Sequence, residues 1–351
     1  MEVCINSDSH LINDGGYWQY FSNLANKYGL VPKTIYGDSY NCLVSVEMNN
    51  ALVSILNRYA MEIRHKSIEK NWTRKQFNQA KERYMKKIYD LVVRFMGEPP
   101  TKFNWRYKDD NENYHVIKGL TPIKFYKVLV PHHSETKMTF IHDPRYPEYY
   151  YSPYHLEYGT NMIDGDPSIF INLPLDVFKK AVAESLMNGE PVWFGCDVGA
   201  CLDVESGTMD TNRFDYKSVL GEDIHFDKAD MLNMKVTGPT HAMVFNGVDM
   251  DEPVEDEPYN YTKWRVENSW GIGIELEWHP DHGCWQMSDD WFDKYVFAAV
   301  IDLKYFEEDT LKNIMANKNN RLIIPPWDVF GTVALRSGCS MCSKFSHKSK
   351  I

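Results

Sequence analysis

Two stretches, Thr240-His241-Ala242-Met243 and Trp264-Arg265-Val266-Glu267-Asn268-Ser269-Trp270-Gly271, decide how this chain is expected to fold. From about residue 240 apolar residues alternate with other residues, which is the period of a β-strand. His241 therefore enters one predicted strand, and the turn that begins at Asn268 leaves the next. The pattern predicts that an imidazole and a side-chain amide lie at the ends of neighbouring strands.

An imidazole beside an amide suits nucleophilic catalysis by a thiol. A thiol attacks a carbonyl well only as thiolate, so it needs an imidazole that takes its proton. An amide oxygen can hold that imidazole in one tautomer and rotation, and an indole beside the amide keeps water away. His241, Asn268 and Trp270 supply these groups in this order. The alternative is a buried histidine bonded to a backbone carbonyl, with Asn268 merely starting a turn.

Composition narrows the class of protein. The chain has 351 residues, of which 43% are apolar and 14% aromatic, enough for one large core or two ordinary ones. A net charge of −11 argues against nucleic acid as a partner. Residues 1–14 lack the cationic start and the apolar stretch that are typical of a signal peptide, and no run approaches the roughly 18 apolar residues that span a bilayer, so we expect neither a leader nor a membrane span. Seven cysteines without a dense framework favour a reducing, cytoplasmic location.

The first part of the chain reads as helical. Apolar residues recur at helical spacing from Tyr17 to Tyr28 and again over 44–63. Thr73 and Gln76 form a capping box before a third apolar stripe, so residues 43–98 are predicted to be an α-helical block. The stretch after this block is predicted to be rich in loops, with a short helix starting at Thr121-Pro122.

The second part reads mainly as strands. Residues 140–170 carry many Pro, Tyr, Asp and Gly residues and are predicted to be irregular but packed. A helix is expected from Pro174 to Gly189, followed by a buried strand at 192–195 and another at 297–301. Helices first and antiparallel strands afterwards indicate an α+β protein.

Residues from about 11 to 335 resemble the bleomycin hydrolase family of papain-like cysteine aminopeptidases, which is related to bacterial aminopeptidase C. The resemblance implies a papain-like fold with helical insertions, assembled as a homohexamer. It implies removal of N-terminal amino acids from peptides, hydrolysis of the bleomycin amide, and no cofactor. The stretches that carry it are Asn13-Asp-Gly-Gly16 with Trp18, Asn26-Lys-Tyr-Gly-Leu30, Val192-Trp-Phe-Gly-Cys-Asp-Val-Gly199, Thr240-His-Ala-Met243, residues 264–271, and Pro326-Trp-Asp328.

The resemblance also assigns roles to residues. It implies that His241 is the general base, that Asn268 orients it, and that Trp270 shields their contact. Gly15 and Gly16 match a glycine pair that lets the substrate backbone lie close, a use that needs the absence of a Cβ. The alternative for these two glycines is a plain turn into a helix.

The resemblance further implies four segments. Residues 1–42 would be the remainder of the papain-like helical subdomain, 43–135 a helical insertion, 136–335 the strand-rich subdomain, and 336–351 a C-terminal extension. Family members end near Leu335, with their terminal carboxylate in the cleft. The extension is therefore expected to weaken the restriction to amino ends.

The nucleophile has no obvious place in the sequence. In the family it follows a Gln-x-x-x-x-x-Cys-Trp type of stretch some tens of residues before the glycine pair, but only fourteen residues precede Gly15. Cys4 lacks that context, and Cys201 has no base with motif support. Cys196, Cys42 and Cys284 are predicted to be packed thiols. The expectation is a chain truncated at its N-terminus, through an incomplete gene or as a true pseudoprotease with a scaffold or regulatory role.

Two further patterns suggest other chemistry only weakly. Cys339-x-x-Cys342 with His347 has some metal-ligand character, as do His279 and His282, but a structural zinc site usually needs four ligands at tight spacing. We therefore predict no metal site. Basic residues on the third helix are interpreted as a solvated face.

Overall fold

The computed structural model describes residues 15–130, 136–222, 226–251, 259–269 and 283–331. Their contacts form two compact units, one of residues 21–130 and one of residues 15–20 together with 136–331. The sequence-based division at residues 43, 136 and 336 stays a prediction. Within the described ranges, no helix has both the length and the apolar character needed to cross a bilayer.

The first helix, α1 (Trp18–Tyr28), ends at Gly29 as predicted, and Gly29 has a φ of 77°. The buried face of this helix is not the face that the spacing of its apolar residues indicates. Phe21 and Tyr28 expose 46% and 61% of their surface, whereas Asn23 is buried. Tertiary packing, rather than hydrophobic period, therefore selects the buried side of α1.

A helical hairpin confirms the predicted α-helical block. It consists of α3 (Val46–Glu69) and α4 (Arg74–Met96), and the short helix α2 (Tyr40–Leu43) precedes it. The capping box is formed, because Gln76 N donates to Thr73 Oγ1 at 3.3 Å and Thr73 N donates to Gln76 Oε1 at 2.9 Å. Gly97, with a φ of 87°, ends α4. The two long helices share a small core of Met48, Leu52 and Ile88.

The stretch after this hairpin is more regular than predicted. It contains two antiparallel strands, β1 (Phe103–Lys108) and β2 (Tyr114–Leu120), followed by α5 (Pro122–Leu129). The prediction of a loop-rich stretch was wrong here. In β1 aromatic and polar residues alternate as a strand requires, whereas in β2 the apolar Tyr114 and Val116 lie on the exposed face and obscure the strand period. The start of α5 was predicted, and Thr121 Oγ1 caps it by accepting from Lys124 N at 3.2 Å.

The second unit is built on a mixed sheet of eleven strands within the described residues. The prediction that residues 140–170 are irregular was wrong in part, since the end of one strand (Lys137–Ile141), a second strand (Pro153–Leu156) and the start of a third (Ile169–Asn172) lie there. Proline and glycine punctuate these short strands without preventing pairing. The bounds are β3 (Lys137–Ile141), β4 (Pro153–Leu156), β5 (Ile169–Asn172), β6 (Val192–Cys196), β7 (Leu202–Asp203), β8 (Thr208–Met209), β9 (His241–Met250), β10 (Tyr261–Glu267), β11 (Cys284–Ser288), β12 (Val296–Asp302) and β13 (Leu322–Ile324). Their order in the sheet is β13-β4-β5-β3-β12-β6-β9-β10-β11-β8-β7.

Aromatic side chains pack one face of this sheet against helices. The rings of Phe194 and Phe245 stack with centroids 3.8 Å apart, and Phe292 contacts Phe245 and Trp264 at 5.4 and 4.7 Å. All four residues are at most 1% exposed. This core fixes β6, β9 and β10, and the α+β class is confirmed. The helices of the unit are α6 (Leu175–Met187), α7 (Tyr216–Leu220), α8 (Lys228–Asn233), α9 (Asp289–Tyr295) and α10 (Glu308–Asn317), with single 3₁₀ turns at Pro147–Tyr149 and Leu303–Tyr305.

Candidate active site

Strand direction brings His241 and Asn268 to the same edge of the sheet. β9 begins at His241, and β10 ends one residue before Asn268. The two strands are antiparallel, with Val244 opposite Glu267, so the start of one lies beside the end of the other. Asn268 N also donates to Gly283 O at 3.3 Å, which fixes the backbone where it leaves β10.

The two side chains form a direct hydrogen bond. His241 Nε2 lies 2.9 Å from Asn268 Oδ1, and Asn268 is only 8% exposed. A carbonyl oxygen can only accept, so Nε2 carries the proton and donates it. The lone pair of the neutral ring is then on Nδ1, and Nδ1 is the atom at which this imidazole can take up a proton. Asn268 Nδ2 is buried without a hydrogen-bond partner in the described part of the chain.

The glycine pair lies in the same compact unit as His241, just before α1. A Cβ on Gly16 would lie 3.4 Å from Tyr20 Cδ2, which is close to ordinary van der Waals contact. Packing alone therefore does not require glycine at position 16. Gly15 is exposed and Gly16 half-buried, so a ligand can approach this backbone.

Aromatic contacts connect this turn to the strands that carry the site. Trp18 packs on Trp193 of β6 with ring centroids 6.1 Å apart. Trp193 is opposite Val244 of β9 in the strand register. Tyr17, the residue after the glycine pair, is held separately, because its Oη donates to Phe330 O at 2.8 Å. The backbone around the glycine pair is thus held by the same sheet as His241, while Trp270 lies outside the described residues.

The four described cysteines differ in their surroundings. Cys196 is fully buried in the core, and Cys284 is buried with Asn246 Nδ2 3.7 Å from its sulfur, so both are packed thiols as predicted. Burial raises the pKa of the half-buried Cys201 thiol, which disfavours the thiolate. The prediction for Cys42 was wrong: it is exposed, because the four-residue helix α2 offers it no packed face.

No cluster of three or more His, Cys, Asp or Glu side chains suited to a metal ion occurs among the residues that the structure describes. The two patterns considered for metal binding, at 279–282 and 339–347, lie outside those residues.

Asp197 is a neighbour of the site that the sequence reasoning missed. It follows β6 directly, and its carboxylate accepts hydrogen bonds from Thr237 Oγ1 at 2.9 Å and Thr240 Oγ1 at 3.3 Å. Thr240 immediately precedes His241. A charged residue directly after a buried strand was the available signal, although its partners 40 and 43 residues away could not be read from it.

Comparison with known proteins adds to this geometry. Residues 9–331 match the model of the Peptidase C1-like family. The chain is 34% identical to bleomycin hydrolase of Rattus norvegicus over 325 residues, which cover 92% of this chain and 69% of that protein. It is 33% identical to aminopeptidase C of Lactobacillus delbrueckii subsp. lactis over 322 residues, with the same coverages of 92% and 69%.

Solved structures show the same relation. The crystal structure of PepW from Lactobacillus rhamnosis is similar to this chain with a TM-score of 0.81 and 34% identity. The match covers 90% of this chain and 68% of that one. The resemblance inferred from the motifs and the papain-like fold class are both confirmed.

Proposed function

The chain belongs to the Peptidase C1-like family of cysteine peptidases, and we propose that it provides the base and orienting amide of a bleomycin hydrolase-type aminopeptidase. The observation that carries the proposal is the 2.9 Å hydrogen bond between His241 Nε2 and Asn268 Oδ1. It leaves Nδ1 as the basic atom of an oriented imidazole. Peptides with a free amino terminus are the expected substrates, and the amide of bleomycin is a further one.

In this mechanism His241 Nδ1 takes the proton of a cysteine thiol, and the thiolate attacks the substrate carbonyl carbon. The imidazolium then returns the proton to the leaving amine as the C–N bond breaks. Water, activated by the same imidazole, hydrolyses the thioester. Asn268 keeps its hydrogen bond through both steps and stabilises the positive ring, since bonds to a charged donor are roughly twice as strong. Gly15 and Gly16 receive the substrate backbone, and Trp270 shields the amide.

A second candidate is a catalytically inactive pseudoprotease that acts as a scaffold or regulatory subunit. The described thiols favour it. Cys196 has no exposed surface, and the raised pKa of Cys201 opposes thiolate formation. Neither has the properties of a reactive nucleophile. Cys284 is buried, and Cys42 is exposed but lies in the other compact unit from His241. We assign the nucleophile to none of these four thiols.

A thiol-reactive peptidyl epoxide separates the two candidates. The purified protein is assayed with a fluorogenic amino-acid amide, then labelled, and the modified cysteine is located by peptide mapping. An active peptidase gives turnover that stops when one cysteine is labelled. His241→Ala removes that turnover and slows the labelling, because the thiolate loses its cationic partner.

His65→Ala is a matched control, since His65 lies on helix α3 of the other unit. It should leave both turnover and labelling unchanged. If the folded protein shows neither turnover nor labelling, the aminopeptidase proposal fails for this protein and the pseudoprotease candidate stands. Labelling of Cys201 with loss of activity would reverse the interpretation of its pKa.

The restriction to amino ends needs a separate measurement. Residues 336–351 lie outside the described residues, and their effect on the cleft stays a prediction. Cleavage of one peptide is compared in its free-amine and N-acetylated forms. Equal rates support a weakened restriction, and strict preference for the free amine contradicts it.

The assembly, location and segment division belong to the same proposal. A homohexamer is expected, and mass photometry of the purified protein at nanomolar concentration would reveal it; a monomer contradicts it. A cytoplasmic location follows from the sparse cysteines, and fractionation of cells that express the protein tests it. Limited proteolysis tests the boundaries predicted near residues 43, 136 and 336.

A further inference from the structure

The loop Thr237-Gly-Pro-Thr240 leads directly into His241 and is held at both ends. Thr237 is 4% exposed, and Thr240 N donates to Cys196 O at 2.8 Å. Pro239 restricts the backbone between them. The position at which β9 begins is therefore set by this short segment and by the group that accepts hydrogen bonds from the Thr237 and Thr240 hydroxyls.

The Asp197 carboxylate binds both hydroxyl groups, one on each oxygen. Thr237 Oγ1 donates to Oδ2 and Thr240 Oγ1 to Oδ1. The backbone of Asp197 is itself fixed, since its N–H donates to Tyr295 O at 3.0 Å. A carboxylate on a fixed backbone thus joins the end of β6 to the loop that delivers His241.

Competition between acceptors favours this arrangement. Thr240 Oγ1 lies 3.3 Å from Asp197 Oδ1 and 3.4 Å from Cys196 O, but a hydroxyl has only one proton to donate. A charged acceptor forms the stronger bond. The carboxylate therefore accepts the hydroxyl hydrogen bond of Thr240, while the Cys196 carbonyl accepts from Thr240 N, so the side chain and the backbone of the residue before His241 are both held.

We infer that Asp197 is a positioning residue, which acts through Thr240 and Thr237 to hold the His241 imidazole on the Asn268 amide. The inference rests on the proposed role of His241 as the base. A displacement of about 1 Å at a reacting group can cost roughly a hundredfold in rate. A support on the residue before the base is thus well placed to limit such displacement.

The test observes the ring itself, so it does not require an active enzyme. Long-range ¹⁵N–¹H NMR spectra of histidine-labelled protein report the tautomer of His241 and the solvent exchange of its Nε2 proton. Thr240→Val keeps the shape of the side chain and removes the hydroxyl. We expect Nε2–H exchange to rise about tenfold, which corresponds to the loss of one ordinary hydrogen bond, with some Nδ1–H tautomer.

The matched control is Thr136→Val. Thr136 Oγ1 donates to Asp302 Oδ2 at 2.7 Å, so the same type of bond is lost. Asp302 lies at the far end of β12 from Val296, which pairs with Cys196. At about 3.3 Å per residue this is roughly 20 Å along the strand. Thr136→Val should leave the His241 signals unchanged, and Thr240→Ser should restore them.

Two results separate a positioning role from a merely structural one. If Thr240→Val and Thr136→Val lose similar stability and neither changes the His241 exchange or tautomer, the inference is overturned. Asp197→Ala provides a second route if Thr240→Val does not fold, because it removes the acceptors of both hydroxyls. An unchanged ring in folded Asp197→Ala also overturns the inference. Absence of peptidase activity bears only on the proposed function.

Discussion

The buried Lys228 should make the stability of the folded protein depend on pH. The side chain is 7% exposed, and its ammonium donates to Asp293 O at 2.9 Å and Val296 O at 2.7 Å. The Phe297 ring centroid is 4.9 Å away. The two carbonyls belong to the end of α9 and the residue after it, where a cation is favourable. Burial nevertheless dominates and lowers the pKa of Lys228 to about 7.

The sign of the pH effect follows from proton counts. Between pH 7 and about 10.5 the unfolded chain holds a proton on this lysine that the folded chain has released. Raising the pH therefore favours the folded state. The contribution to the free energy of unfolding is complete above the unfolded pKa near 10.5 and is lost as the pH falls through 7. From pH 7 to 9 the expected gain is about 2 kcal/mol.

The assay is urea unfolding at pH 7, 8 and 9, followed by tryptophan fluorescence, for the wild type and Lys228→Met. Between pH 7 and 9 the free energy of unfolding should increase by about 2 kcal/mol less in the variant than in the wild type. Its stability at a single pH is less informative, because methionine packs well but leaves two carbonyls without a donor. Lys180→Met is the control, since its exposed pair with Glu307 raises the pKa of Lys180, so no change is expected below pH 9. An unchanged rise in Lys228→Met would refute the reasoning.

Three further predictions concern single residues. In an active enzyme Asn268→Ala should lower kcat by about ten- to a hundredfold with little change in KM, since the bond to the His241 ring strengthens when the ring is charged. A rise in KM by the same factor, with kcat unchanged, would contradict this prediction. Phe245→Ala should reduce the free energy of unfolding by about 3–5 kcal/mol in urea titrations, because its fully buried ring stacks on Phe194; a loss below 1 kcal/mol would contradict it. Thr73→Ala should lower the free energy of unfolding by about 1 kcal/mol, because the capping box is lost. Thr73→Ser keeps the hydroxyl and should retain most of this stability. Thermal melts followed by helical circular dichroism measure both variants.

The parts of the fold that the sequence predicted are those fixed by local physics. The capping box at Thr73 depends on residues three apart, and the helix end at Gly29 depends on one positive φ. The pairing of His241 with Asn268 is longer in range but follows from strand period and a motif. In the first two cases a few neighbouring residues contain the whole signal, and in the third two short motifs contain it.

The parts that were missed depend on distant partners. The hairpin of β1 and β2 alternates in burial, but the apolar Tyr114 and Val116 on the exposed face of β2 obscure that alternation in the sequence. Cys42 has apolar neighbours in sequence and yet lies exposed on a helix of four residues. The role of Asp197 requires knowing that Thr237 and Thr240 return to the end of β6. Tertiary contacts, which the sequence does not display, decide all three.

Strand packing, rather than a thiol, brings the base and its orienting amide together. Phe245 and Val266 are fully buried partners in the strand register, a few residues from His241 and Asn268. The core that aligns them also includes Phe194 and Phe292, so hydrophobic packing sets the separation of the two strands. A protein with this core brings the backbones of His241 and Asn268 together whether or not a nucleophile is present. The pair therefore supports descent from a cysteine peptidase, whereas turnover that depends on both His241 and one labelled cysteine is the measurement that establishes activity.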